Sequence, residues 1–290
     1  MTQKFTAEDI QQAVADIKKI KTEYSPLLDL YEKIFVAQEK SKEAIKLEEF
    51  VIEKDKLAIK LSEKFPLVNL SEFRYDLGES SRLFSHICDI LSADENEISE
   101  AVKRIAALAE TDKIDLAEVF TSFLKEDEDF FKGLEKEHQV DRQVLGFVVF
   151  NSLKPSLNVF AENLSGSLDS VATWEKGYCP VCGSAPEISL FEENGKRFMV
   201  CGFCGYKWAS RRIYCPFCEN SDHETLRYIE IEGEEEHRVD LCEKCKKYIK
   251  TINVTKTTGR VYPSLENQAT TYIDLYIEDM GYMAGNIKTD

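Results

Sequence analysis

A chain of 290 residues, 43% of them hydrophobic, is long enough to bury a substantial core and to divide into two domains. Its 53 acidic and 37 basic residues leave a net charge of −16, which repels nucleic acid and anionic membrane unless a local basic patch overrides it. The opening MTQKFTAEDI has no apolar stretch of signal-peptide length and no later run approaches a membrane span, so a cytoplasmic protein without membrane insertion is expected.

Residues from about 6 to 173 read as helical almost throughout. Apolar positions recur at spacings of three and four, as in Ile10, Val14, Ile17 and Ile20, or Val102, Ile105 and Leu108. Thr6 with Asp9 makes a capping pattern, as does Ser92 with Glu95 ahead of a segment running to Ala109. Asp115 can cap residues 116–124, Pro66 should break the long second helical stretch, and Asp112-Lys113 makes a short connection. Residues 143–164 are the most apolar helical stretch and belong at the centre of a bundle. Pro155 within them either kinks that helix or sits in the first turn of a new one.

The character changes near Trp174, where Gly, Pro, Cys and short β-type runs replace the helical pattern, which puts a boundary at about 173–178. Residues 188–191 and 197–200 flank Glu193-Asn194-Gly195, and Asn-Gly signals a tight hairpin with positive φ at both turn residues. That hairpin would carry Cys201 back towards Cys182. The plan repeats, with residues 226–231 and 238–241 around Glu232-Gly233-Glu234, and strand-like runs follow at 206–213 and 248–255. Residues 266–280 read as one helix ending at Gly281, with Tyr272, Leu275, Tyr276 and Asp279 at helical spacing.

Eight of nine cysteines form four Cys-x-x-Cys pairs: Cys179/Cys182, Cys201/Cys204, Cys215/Cys218 and Cys242/Cys245. The intervals between pairs are 18, 10 and 23 residues, which groups them into two consecutive four-thiolate sites. A two-residue gap lets both sulfurs converge on one metal, and Gly183 and Gly205 suit the tight turn this needs. Thiols stay reduced in the cytoplasm, and thioredoxin-like chemistry uses one motif in a βαβ setting, so metal binding outweighs disulfide exchange. A complete four-sulfur shell leaves no position for water or substrate, which argues against a catalytic metal. Zinc and iron both suit such a shell.

Between Cys179 and Lys250 there are 11 basic and 13 acidic residues. Two filled sites would each add −2, giving about −6 in all, with no electrostatic footprint for phosphate. Cys88 is expected to pack as a small apolar residue. His223 and His237 are expected to be solvent-exposed, since four cysteines already complete each shell, and Glu234-Glu235-Glu236 reads as a solvated turn. Trp208, Arg211 and Arg212 link the ribbons. Trp208 could pack the two together and Arg212 bond a neighbouring carbonyl, which still leaves all three near a partner surface.

Several of these residues resemble a known family. The block Gly177-Tyr178-Cys179-Pro180-Val181-Cys182-Gly183-Ser184-Ala185-Pro186 is followed by Cys201-Gly202-Phe203-Cys204, Trp208, Arg212 and Cys215-Pro216-Phe217-Cys218. Cys242-Glu243-Lys244-Cys245, Tyr248-Ile249-Lys250-Thr251, Asp274 and Met280-Gly281-Tyr282 complete it. Together they resemble the formate dehydrogenase accessory proteins, the FdhE family, over residues 178–283. The resemblance implies a non-enzymatic, cytoplasmic maturation factor with rubredoxin-like sites that contacts the catalytic subunit of formate dehydrogenase. It implies the eight paired cysteines as metal ligands and favours iron over zinc.

The fold expected is α+β: an all-α helical bundle (1–173), two tandem rubredoxin-like or zinc-ribbon modules (174–213 and 214–262) and a C-terminal helix packing on them (263–290). The alternative function is a rubredoxin-like electron-transfer or thiol redox protein. Loss of one cysteine is expected to unfold its own ribbon and spare the helical half.

Overall fold

In the computed structural model, which describes residues 5–94, 96–169 and 174–285, the amphipathic first half forms eight α-helices. These are α1 (Ala7–Ile20), α2 (Ser25–Lys42), α3 (Lys54–Ser62), α4 (Leu77–Leu91), α5 (Glu97–Glu110), α6 (Leu116–Leu124), α7 (Glu128–His138) and α8 (Arg142–Leu164). Local chemistry sets many of the ends. Thr6 and Asp9 cap α1 reciprocally, and the Asp115 carboxylate accepts the Ala117 N–H at 2.8 Å to start α6. The cap of α5 differs from expectation. Asn96 and Ser99 form it, Ser92 instead closes α4, and Glu95 lies outside the described residues.

The expected break at Pro66 is also displaced. The second helical stretch ends first at Lys42 and resumes as α3, which stops before the proline. Lys64 takes a left-handed φ of 61° and the Phe65 N–H returns to the Lys60 carbonyl at 2.8 Å, a Schellman-type ending. Pro66 follows that stop and does not cause it.

Helix α8 runs through the bundle centre and packs against α2, α4, α5, α6 and α7. By length and composition the segment Arg142–Leu168 could cross a membrane, which corrects the expectation that no run approaches a span, but it is mostly buried inside the fold. The helix continues through Pro155. Proline has no N–H, so the Asn151 carbonyl one turn earlier loses its intrahelical donor. The buried Gln38 amide of α2 replaces it, donating to that carbonyl at 2.9 Å and to the Asn151 side-chain oxygen at 3.1 Å. A long-range hydrogen bond thus lets the core helix stay continuous.

The second half forms one seven-stranded sheet among the described residues. Strands β1 (Pro186–Phe191), β2 (Arg197–Cys201) and β3 (Lys207–Ser210) make the first ribbon. Strands β4 (Leu226–Ile231), β5 (Glu234–Cys242) and β6 (Lys247–Asn253) make the second, and β7 (Met283–Ala284) adds to β6. The order β3-β2-β1-β6-β5-β4 joins the ribbons through a parallel pairing of β1 with β6. The Asn-Gly turn is longer than expected. Phe191 pairs with Arg197, and a 3₁₀ turn over Glu193–Gly195 fills the gap. The tight two-residue turn lies in the second ribbon, where Ile231 pairs with Glu234 and Gly233 has φ +81°.

The expected C-terminal helix is two, α9 (Pro263–Ala269) and α10 (Thr271–Asp279). The buried Lys250 ammonium explains the break. It donates to the Asn267 and Thr270 carbonyls at 2.8 and 3.3 Å and pairs with Asp274 at 2.7 Å, capturing carbonyls at the end of α9. Ile273 and Ile277 anchor α10 on Val239, Leu241 and Tyr248, whereas Leu275 and Tyr276 of the expected stripe face solvent.

One hydrophobic core spans both halves, uniting Leu83, Phe84, Phe120, Leu157 and Phe160 of the helices with Cys179, Val181, Met199 and Cys201 beyond the expected boundary at 173–178. Residues 170–173 at that boundary lie outside the described ones.

A buried ionic cluster closes the structure at its other side and corrects two expectations. His237 is 7% exposed, with Nδ1 2.9 Å from Glu234 and Nε2 3.2 Å from Glu266 of α9. Glu234 is no solvated turn residue: it also takes Lys21, at the end of α1, at 2.8 Å and the Tyr272 hydroxyl of α10. Burial alone would push the imidazole pKa down, but the Glu234 carboxylate against Nδ1 and the hydrogen bond between Nε2 and Glu266 override it and raise it to about 9. The pKa is raised on folding, so this stabilisation is complete below the unfolded value near 6.5 and is lost as pH climbs towards about 9. The unfolding free-energy difference between the native protein and a His237→Gln protein should be on the order of 3 kcal/mol at pH 6 and shrink towards zero by about pH 10. Urea titrations at the two pH values measure it; a difference independent of pH rules out a charged His237.

Candidate metal centres

Each Cys-x-x-Cys pair closes a knuckle in which the residue after the second cysteine returns its N–H to the carbonyl of the first. The bonds run from Gly183 to Cys179 (2.8 Å), Gly205 to Cys201 (3.1 Å), Glu219 to Cys215 (3.0 Å) and Lys246 to Cys242 (2.8 Å). All four donors have left-handed φ, at 77°, 70°, 60° and 56°. Glycine adopts this freely, whereas Glu219 and Lys246 adopt it at a cost.

Hairpins β1–β2 and β4–β5 bring the knuckles together two by two. Cys179, Cys182, Cys201 and Cys204 form one cluster and Cys215, Cys218, Cys242 and Cys245 the other, with the sulfurs of each set within 4.8 Å of one another. In the first, Sγ separations are 3.6 Å for Cys179–Cys204, 3.5 Å for Cys182–Cys201 and 3.6 Å for Cys182–Cys204. In the second they are 3.7 Å for Cys215–Cys245 and 3.6 Å for Cys218–Cys242. A tetrahedron with metal–sulfur bonds of about 2.3 Å has edges of about 3.8 Å, so both sets fit one metal ion each. All nine cysteines are free thiols. Neither His223 nor His237 joins a cluster.

Within each set burial and hydrogen bonding pull the thiols in opposite directions, so that one sulfur of each set gives up its proton more readily than the others. In the first cluster burial pushes Cys179 and Cys204 well above the ordinary thiol range, while hydrogen bonds with Cys179, Cys201 and Cys204 draw Cys182 down. In the second, burial raises Cys245 to about 11. For Cys242 burial also raises the pKa, but backbone N–H groups of Cys245 and Lys244 and the Asn220 amide bring it to about 7. The Asn220 amide lies 3.6 Å from the Cys242 sulfur.

The two centres differ in their cover. Around the first, the Leu67 and Val68 N–H groups bond the Pro180 and Val181 carbonyls at 2.9 and 3.0 Å. From α8, Lys154 bonds the Gly202 carbonyl at 2.6 Å and Asn158 the Cys204 carbonyl at 2.9 Å. A Cβ on Gly205 would meet Asn158 at 2.6 Å and one on Gly183 would meet Pro66 at 3.0 Å, so glycine here answers close packing as well as backbone angle. Glu219 and Lys246, at the equivalent positions of the second centre, are exposed.

Of the residues singled out between the ribbons, Trp208 is buried in β3 within the core shared with the helices, while Arg211 and Arg212 are exposed. Arg211 pairs with Glu175 at 3.2 Å. Arg212 offers its own carbonyl, which accepts Arg197 Nη1 at 3.4 Å, the reverse of the expected bond. The residue that fastens the ribbons together is Arg197, buried in β2. It donates to Ser189 Oγ (2.9 Å) and the Tyr214 carbonyl (2.9 Å) and pairs with Asp240 of β5 (2.8 Å). Nothing in local spacing marks it, because its partners lie 8 to 43 residues away.

Comparison with known proteins gives a consistent picture. Residues 178–212 match the family model described as FdhE, central domain. A curated FdhE homolog from Aquifex aeolicus is 29% identical over 223 residues, 75% of this chain and 71% of that protein. Since 223 residues exceed the cysteine-bearing half, that likeness extends into the helices. An FdhE protein of Escherichia coli is 29% identical over 118 residues, 39% of this chain and 37% of its own length. The crystal structure of FdhE from Pseudomonas aeruginosa superposes with a TM-score of 0.71, covering 98% of this chain and 96% of that one at 16% identity, which shows a shared fold. The FdhE resemblance carried by the cysteine block is thus borne out by a family domain, by homologues and by the fold.

Proposed function

From this likeness to FdhE proteins, we propose that the chain is a cytoplasmic maturation factor, not an enzyme, that binds the catalytic subunit of a formate dehydrogenase and supports its assembly or activation. The observation that carries the proposal is the pair of closed four-sulfur centres inside an FdhE-like fold. The residues that would hold the ions are the eight paired cysteines, and saturated shells of this kind organise a surface and leave no coordination position for a substrate. Iron is the ion favoured by resemblance, and zinc fits the same sulfurs. Either ion would supply cross-linking of the knuckles, while the chain's own residues supply the client surface. We assign that surface to the exposed Arg211 and Arg212, with Trp208, buried in the neighbouring strand β3, as its support. Anaerobic co-purification of the tagged protein should recover a formate dehydrogenase catalytic subunit, and Arg211→Glu with Arg212→Glu should reduce the yield at least tenfold. Recovery of no such subunit would count against the proposal. Reversible bleaching of an iron–thiolate chromophore without client binding would favour electron transfer instead.

A further inference from the structure

We propose that the two centres divide their tasks. The first is a permanent fastener between helices and sheet, and the second exchanges a thiolate-binding divalent metal ion, Fe²⁺ or Zn²⁺, with solution while the protein stays folded. This rests on the reading of both clusters as metal sites.

Replacing a metal held by four sulfurs proceeds by stepwise substitution, so an incoming ligand must reach the ion past at least one sulfur. The second centre offers that approach. Each of its knuckles contributes one buried cysteine, Cys215 and Cys242 at 4% and 2% exposure, and one half-buried cysteine, Cys218 and Cys245. The Cys218–Cys245 edge of the tetrahedron is therefore its accessible side. Glu219, Lys244 and Lys246 beside it are all exposed. Cys215 and Cys242 can retain the ion from the opposite edge while ligands at the open edge are replaced.

The first centre offers no such edge, for its four cysteines are 0–6% exposed. Leu67, Val68, Lys154 and Asn158 tie both of its knuckles to the helical half, and Pro66 lies against Gly183. Reaching this ion requires those helical segments to detach, an opening that breaks part of the shared core. Sub-global openings of this kind are rare in a folded protein, so release should be slower on the order of 100-fold.

The test uses the full chain loaded anaerobically with Zn²⁺, desalted, and mixed with excess EDTA. Protein-bound zinc is followed by atomic emission. The expected result is two zinc ions at the start, leaving in two steps of equal amplitude. Iodoacetamide added after the first step should modify Cys215, Cys218, Cys242 and Cys245 and spare the other four paired cysteines. A Cys218→Ser protein should keep only the slow step, and Asn158→Ala, which uncovers the first centre, should speed the slow step alone. Release of both ions in one step, or alkylation beginning at Cys179, Cys182, Cys201 or Cys204, overturns the division of tasks. The alkylation arm uses the native protein, so it decides the matter even if Cys218→Ser fails to fold. Fewer than two zinc ions bound at the start overturns the metal reading itself and this inference with it.

Discussion

A Cys201→Ser protein is expected to lose the helical half as well as its first ribbon. The Cys201 sulfur lies 3.5 Å from Cys182 and accepts the Cys204 N–H at 3.4 Å, inside the core that also holds Leu157, Phe160 and Trp174. Binding of a structural metal by four thiolates contributes about 10 kcal/mol or more in small domains, comparable with the whole stability of an ordinary protein, about 5–15 kcal/mol. A three-sulfur shell forfeits much of that, and the loosened knuckles release Leu67, Val68, Lys154 and Asn158 from their carbonyl partners. The melting temperature followed by helical circular dichroism, under anaerobic metal-replete conditions, should fall by about 10 °C or more. Cys218→Ser should leave the helical transition within a few degrees, because Cys218 stands outside the shared core. Equal, small effects from the two changes would contradict a shared core at the first centre.

This prediction differs from the expectation that spacing alone supports, in which each ribbon fails alone, and the reason is physical. The cysteine spacing marks each four-sulfur set as a local unit, since two knuckles and a hairpin suffice to define it. What spacing leaves open is which set the helices cover. That depends on Pro66 meeting Gly183 and Asn158 meeting Gly205, contacts between segments with no common local pattern. A faint signal does exist in hindsight. The left-handed positions are glycine in the first centre and Glu219 and Lys246 in the second, as expected if only the first pair has another segment pressed against it.

The same division between local and distant chemistry runs through the fold. Periodicity gives α1 and α8, and capping residues give the starts of α1 and α6, because those interactions lie within a few residues. The continuity of α8 through Pro155 depends on Gln38 reaching across from α2, and the break between α9 and α10 on Lys250 arriving from β6. His237 reads as a polar hairpin residue until Glu266 and Lys21 close over it. The parallel pairing of β1 with β6, which turns two ribbons into one sheet, leaves no mark in the spacing of either. Tertiary partners decide each of these positions, overriding or adding to what the local sequence favours.

Arg197→Met is the second change with a large expected effect, and its consequences should be unequal at the two centres. Arg197 is 3% exposed, and its guanidinium serves Ser189, the Tyr214 carbonyl and Asp240 at once. Asp240 also accepts Thr251 Oγ1 at 2.7 Å and pairs with Arg238 at 2.9 Å, so part of its charge stays compensated when Arg197 is lost. Removing one member of a buried pair costs about 3–5 kcal/mol, because the remaining charge and carbonyls keep their desolvation penalty without a partner. Arg197→Lys should recover little, since one ammonium cannot span donors aimed at three groups as a planar guanidinium does. Adding Asp240→Asn to Arg197→Met should restore part of the loss by removing the stranded charge, an outcome that a purely steric role for Arg197 does not predict. Tyr214 directly precedes Cys215, so untying its carbonyl frees the first knuckle of the second centre while the cover of the first stays in place. Zinc release from the second centre should therefore quicken with the first step of chelation alone, alongside a lower urea midpoint. A slow step accelerated equally would mean that Arg197 supports the whole sheet and not the join between its ribbons.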